Sequence, residues 1–152
     1  MIVTFIGDAD YIEQDGHREQ IVSVLEEHVG DRISQIFFDG VGHFDLFGLI
    51  CGREFQKTHP NTALTVVTPY FGVNLDPKQI ALYQTLYDHI LNPPLEPLAR
   101  EEALVQRRAW MTGESDLIIA YVASSDEAAH RTLDDAKQQG IRIVHLTDLN
   151  PS

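Results

Sequence analysis

The chain has 152 residues, a length that suits one hydrophobic core. Hydrophobic residues make up 43% and charged ones 22%, ordinary for a globular protein and too apolar for extended disorder. Eleven basic against 23 acidic side chains leave a formal charge of −12, which repels nucleic-acid backbones and anionic membranes, so nucleic acid is the partner class the composition disfavours.

In chain order, Ile2–Ile6 reads as a first strand, apolar nearly throughout, as a strand covered on both faces is. The same run has no basic leader and no cleavage site, which argues against a signal peptide. A polar segment follows to Asp15-Gly16. Ile21, Val22, Val24, Leu25, His28 and Val29 then recur at helical spacing, with Gly30 as the stop. Ile33–Phe38 is a second strand and Phe44–Phe55 a second helix, apolar through Phe44, Phe47, Leu49, Ile50, Cys51 and Phe55. Ala63–Thr68 is a third strand, closed by Pro69.

Pro77 opens a helix whose buried face is expected at Ile80, Leu82 or Tyr83, Leu86, Tyr87 and Ile90. The proline-rich stretch from Asn92 to Pro97 reads as a connector, because too few residues follow it for a second core. Leu98–Met111 is a helix with Leu104, Val105 and Trp110 among its apolar positions. Asp116–Val122 is the most apolar strand, Asp126–Gln139 a helix ended by Gly140, and Ile141–Leu146 a fifth strand. No segment reaches the ~20 apolar residues of a membrane span.

Strands alternating with helices define an α/β chain: a Rossmann-like open parallel five-stranded sheet with helices on both faces, one domain over residues 1–152, with the expected order 3-2-1-4-5. Ligands of such sheets bind outside the carboxyl ends of the strands, where the order reverses. The segments that rule selects are Gly7–Asp10, Asp39–Asp45, Pro69–Gly72 and Ala123–Glu127.

The sharpest local signal is Asp39-Gly40-Val41-Gly42-His43-Phe44-Asp45, where two glycines let backbone approach a ligand and the following helix N-terminus favours an anion. It lacks the third glycine of a dinucleotide fingerprint and the Gly-Lys-Ser/Thr of a Walker loop, so a tight turn is the competing reading; Asp45 is either a ligand residue or a helix cap. Gly7-Asp8 is either a turn or a ligand contact. Tyr70 either stacks on a base or covers the sheet edge. Arg107 can clamp a phosphate, whereas Arg108 reads as surface charge.

Seven histidines show no His-Glu-x-x-His spacing, and no carboxylate cluster beside them reads as a metal site; no cofactor is called for. There is no Gly-x-Ser-x-Gly elbow. The single cysteine, Cys51, excludes an intrachain disulfide, fits core packing, and suits a reducing, cytoplasmic compartment.

Together these segments resemble the SLOG superfamily, and within it the YpsA-like branch. The resemblance rests on Thr4-Phe5-Ile6-Gly7, on Phe38 through Asp45, on Val66-Val67-Thr68-Pro69-Tyr70, and on Arg107-Arg108-Ala109-Trp110-Met111 leading to Ser115–Val122. It implies a Rossmann-like fold with a cleft for a nucleotide or ADP-ribose-type small molecule, and makes a homo-oligomer an expectation. On that basis Gly7, Asp8, Gly40, Gly42, His43, Asp45, Tyr70, Arg107, Ser124 and Glu127 are the expected ligand-binding residues, with Gly40 and Gly42 under a phosphate.

The motifs depart from the family in a consistent direction. The usual Gly-His-Arg is Gly7-Asp8-Ala9; Asp39 and His43 replace two glycines of the first loop; the second Gly-Gly-Ala is Glu127-Ala128-Ala129. At an effective dielectric of about 20, one like charge at about 4 Å opposes an anion by roughly 4 kcal/mol. Some superfamily members are phosphoribohydrolases. Asp134 falls where these keep a catalytic glutamate and Arg107 matches their arginine, so an N-glycosidase using Asp134 or Asp45 is the alternative. A partner-binding domain with a decayed cleft is a further one. The sequence assigns no reaction.

Overall fold

The computed structural model of the chain describes residues 1–68, 76–93 and 100–148. The elements run β1 (Ile2–Gly7), α1 (His17–His28), β2 (Ser34–Phe38), α2 (His43–Thr58), β3 (Thr62–Val67), α3 (Pro77–Leu86), β4 (His89–Leu91), α4 (Arg100–Glu114), β5 (Leu117–Tyr121), α5 (Glu127–Gln138) and β6 (Arg142–His145). Every strand pairing is parallel, in the order β4-β3-β2-β1-β5-β6. The expected α/β, Rossmann-like class holds, with six strands instead of five.

The added strand is β4. The helical pattern from Pro77 was expected to continue through Ile90, but the helix stops at Leu86 because Asp88 anchors the chain to the sheet. Its carboxylate accepts from Leu64 N–H at 2.8 Å, Gln56 Nε2 at 2.7 Å and Arg53 Nη1 at 2.8 Å, and its own N–H donates to Leu64 O. Three residues then pair with β3.

Alternation along β5 assigns the two faces. Leu117 and Ile119 pack with Val3, Phe5, Phe38, Phe44 and Phe55 under α1 and α2. Ile118 and Ala120 pack with Ile6, Ala129, Leu133 and Ala136 under α5. Burial on both faces explains why these strands read as continuous apolar runs. Cys51 lies in the first cluster, where burial pushes its thiol up to about 12 and leaves it unreactive.

The chain builds outward from β1 in one direction through β2, β3 and β4, then crosses to β5 and β6 on the other side. The point of reversal is therefore between β1 and β5, and the turns after these two strands flank it.

Candidate functional site

The turns after β1, β2 and β5 converge, but the protein's own carboxyl groups occupy them, and Pro69–Gly72 lies outside the described residues. Asp8 follows β1 and is buried. Its carboxylate crosses the reversal point and accepts from Ala123 N–H at 3.0 Å, Ser124 N–H at 3.4 Å and Ser124 Oγ at 2.6 Å. Gly40 N–H donates to Asp45 at 3.1 Å, and Val41 N–H to Asp39 at 2.9 Å. His43 N–H donates to Ala9 O at 2.9 Å. Asp126 caps α5 by accepting from Ala128 and Ala129 N–H.

Gly7, Asp8, Ala9, Asp39, Val41, Asp45, Arg108 and Asp126 are among the residues lining a cleft of only about 90 Å³. Small-molecule sites span roughly 300–1,000 Å³, and a phosphate would meet four aspartate side chains there, Asp8, Asp39, Asp45 and Asp126. The expected nucleotide or ADP-ribose cleft is thus corrected: the donors it needs are already paired, and the space is too small.

The individual residues follow suit. Gly7 makes room for Phe44, since a Cβ there would lie 2.2 Å from its ring. Gly40 and Gly42 have φ of 77° and 90°, a conformation glycine adopts freely, and shape the turn into α2. Asp45 is buried in the first turn of α2; burial, then the neighbouring Asp39, push its pKa well above the ordinary carboxylate range. His43 and Glu127 are exposed at the starts of α2 and α5. Asp134 is exposed on α5 and lines neither cavity found among the described residues, so it does not join Asp45. Tyr70 lies outside the described residues.

Arg107 leads elsewhere. Its side chain is 5% exposed and its Nη1 donates to Asp39 O at 3.2 Å and Val67 O at 3.4 Å, at the carboxyl ends of β2 and β3. Burial pulls its pKa down from the ordinary guanidinium value, with Asp39 opposing the shift, and a guanidinium stays charged at neutral pH.

Arg107 also lines a second, larger cavity of about 430 Å³ between α4 and α5. This groove carries Leu104, Val105, Arg108 and Thr112 from α4, and Ala128, Arg131, Thr132, Asp135 and Gln139 from the α5 side. Among the described residues Arg107, Arg108 and Arg131 form no ion pair, while Arg18 and Arg53 do. Four buried polar side-chain atoms among the described residues lack a hydrogen-bond partner, and two of them, Arg107 Nε and Thr112 Oγ1, belong to groove residues. Sequence reading missed this groove although its signal is present: Ala128, Arg131, Thr132 and Asp135 fall at i, i+3, i+4 and i+7, one face of a helix.

The geometry defines a Rossmann-like unit with a closed rim crevice and an arginine-lined groove beside it. No family model and no curated protein matches the chain. Among solved structures it is similar to DNA processing protein A (DprA) from Streptococcus pneumoniae, with a TM-score of 0.62 and 14% identity over 95% of this chain and 50% of that one. It is also similar to DNA processing protein A from Helicobacter pylori, solved for its single-stranded DNA binding mode, with a TM-score of 0.60 and 12% identity over 100% of this chain and 68% of that one. The chain thus spans half the length of the first and about two thirds of the second.

At this identity the likeness shows the fold alone, a Rossmann-like parallel sheet flanked by helices. It also corrects the expectation drawn from net charge. A fold of this type serves a single-stranded DNA-binding protein, and here three arginines gather locally despite an overall charge of −12. Total charge does not describe a local field. Among the described residues no helix is long and apolar enough to cross a membrane.

Proposed function

We propose that the chain is a single-stranded nucleic-acid-binding module and that the strand contacts the groove between α4 and α5. The observation that carries this reading is the gathering of Arg107, Arg108 and Arg131, none of them in an ion pair among the described residues, along a groove that also presents Leu104 and Val105. Single strands are held by cations that follow the backbone and by surfaces on which bases and sugars pack. The shared fold with a single-stranded DNA-binding protein supports the same reading. Arg107 is the residue of the sequence-derived set that we assign to contact. Gly7, Asp8, Gly40, Gly42, His43, Asp45, Ser124 and Glu127 we assign to shaping and closing the rim. We further take residues 1–152 as one domain of the YpsA-like branch acting in the cytoplasm, a setting the lone buried Cys51 suits.

Fluorescence anisotropy with a labelled 20-nucleotide single strand and the matching duplex, at low salt, tests the reading. Saturable binding of the single strand, weakened by Arg131→Ala, is the expected result. A flat titration to about 100 μM, the weak end of ordinary non-specific binding, would overturn it.

A further inference from the structure

The groove is small for a strand-binding surface. Its volume of about 430 Å³ lies in the lower half of the roughly 300–1,000 Å³ range of single small-molecule sites. Surfaces that track a strand cover about 4–16 nucleotides per domain. This groove has room for one nucleoside-sized group and its phosphate.

Two of the residues that line it carry unpartnered buried groups. Arg107 is 5% exposed and Thr112 is 3% exposed, and among the described residues neither Arg107 Nε nor Thr112 Oγ1 has a hydrogen-bond partner. A buried donor left without an acceptor is costly, so an acceptor supplied from outside at this floor is favoured. Arg108 and Arg131 stand along the same groove, which Asp39 and Asp135 also line. Asp39 is already engaged by Val41 N–H.

A phosphodiester inside a strand carries a sugar on each side and has two free oxygens. It meets a flat basic surface well and a buried floor poorly. A terminal phosphate monoester has a sugar on one side, three free oxygens, and close to two negative charges at neutral pH. The second shape is the better match for a recess lined by Arg107 and Thr112, with its sugar and base against Leu104 and Val105.

Building on the single-strand reading, the geometry points to recognition of a strand end: the α4–α5 groove takes the phosphorylated terminal nucleotide, with its phosphate on Arg107 and Thr112. Arg108 and Arg131, along the same groove, are left for the phosphates that follow it in the strand.

The test compares four forms of one labelled 20-mer of deoxythymidine: 5′-phosphorylated, 3′-phosphorylated, hydroxyl at both ends, and circularised. One phosphorylated form should bind about tenfold more tightly than the hydroxyl-ended strand, the factor carried by one added charge-assisted hydrogen bond, and the circle should bind no better than the hydroxyl-ended strand. Which phosphorylated form wins fixes the strand polarity. Thr112→Val, which keeps the shape and removes the hydroxyl, should erase the preference and leave hydroxyl-ended binding intact. Equal binding of all four forms overturns the end-recognition inference while the single-strand reading stands. A preference that survives Thr112→Val overturns the assignment of the phosphate to this floor. Absence of binding to every form overturns both readings.

Discussion

Asp8 Oδ1 lies 2.6 Å from Ser124 Oγ, across the point where the sheet reverses its direction of growth. In open parallel sheets this is where a ligand settles between the turns of neighbouring strands. Here a carboxylate of the protein takes that place and binds the turn after β5 to the turn after β1. Replacing Asp8 by Asn removes the charge and sets an amide N–H₂ among donors. We expect a loss of about 1–3 kcal/mol, the cost of leaving buried donors without a charged acceptor. Urea denaturation checks this; a midpoint indistinguishable from wild type would show that the bridge contributes nothing.

Gly7 precedes this bridge and lies under Phe44, which is 1% exposed. A Cβ at position 7 would lie 2.2 Å from Phe44 Cδ2 and 2.3 Å from Cγ, so either the ring or the strand must shift. Gly7→Ala should cost about 3 kcal/mol or more, at the upper end of overpacking in a filled core. Phe44→Leu alone should destabilise by emptying space. The double variant should recover part of the loss, with a favourable coupling in a double-mutant cycle. Strict additivity would mean that the close approach is not what requires glycine here.

Much of this fold was legible in the chain. Buried parallel strands keep both faces apolar, so runs such as Leu117–Ala120 declare themselves without any period. What was not legible depends on contacts far apart in sequence. His89-Ile90-Leu91 continues the helical spacing of Tyr83, Leu86 and Tyr87, and only the tie from Asp88 to Leu64 and Arg53 turns it into a strand. The replacement of rim glycines by Asp39 and Glu127 was visible at once. That Asp8 satisfies the turn after β5 was not, since its partners Ala123 and Ser124 are more than 100 residues away. The groove needed α4 and α5 to lie side by side, and a helix pattern shows an apolar or basic face without showing what it opposes.

The arginine groove makes a quantitative forecast about salt. Each phosphate neutralised on a single strand contributes about −0.7 to the slope of log affinity against log salt, so three arginines give a slope of about −2. Arg131→Ala should weaken binding and flatten that slope by about 0.7. Anisotropy titrations between 50 and 200 mM potassium chloride, about the range over which such effects are resolved, measure it. A slope unchanged in Arg131→Ala would remove this residue from the contact surface.

Asp88 predicts an acid-sensitive edge strand. Burial opposes its charge, but hydrogen bonds from Arg53, Leu64 N–H and Gln56 hold its pKa below the ordinary carboxylate value. A group depressed in the folded state adds stability above its unfolded pKa of about 3.9, and that contribution fades as pH falls through the folded value. Asp88→Asn should therefore be less stable than wild type near neutrality, by about 1–2 kcal/mol for the lost charged hydrogen bonds. The gap should begin to narrow below about pH 4 and close only once pH has fallen through the depressed folded value, where the wild-type carboxyl is protonated too. Urea midpoints at several pH values read the gap directly, and a gap independent of pH would assign the effect to shape instead of charge.

Asp45 predicts the opposite dependence in the same molecule. Its carboxyl is buried, receives Gly40 N–H at 3.1 Å, and has Asp39 nearby, so burial first and the neighbouring charge second raise its folded pKa well above the ordinary value. Between the unfolded value, about 3.9, and that raised value the folded state holds a proton that the unfolded state has released. Stability then falls as pH rises through this window, because the native state binds more protons than the unfolded one. Asp45→Asn keeps an acceptor for Gly40 N–H and has no proton to lose. Its stability should be close to wild type at pH 4 and exceed it at pH 7, with the difference growing monotonically between them. Parallel pH profiles for the two proteins would mean that Asp45 is charged in the folded state, and the acidic rim would then carry one more negative charge than its burial allows.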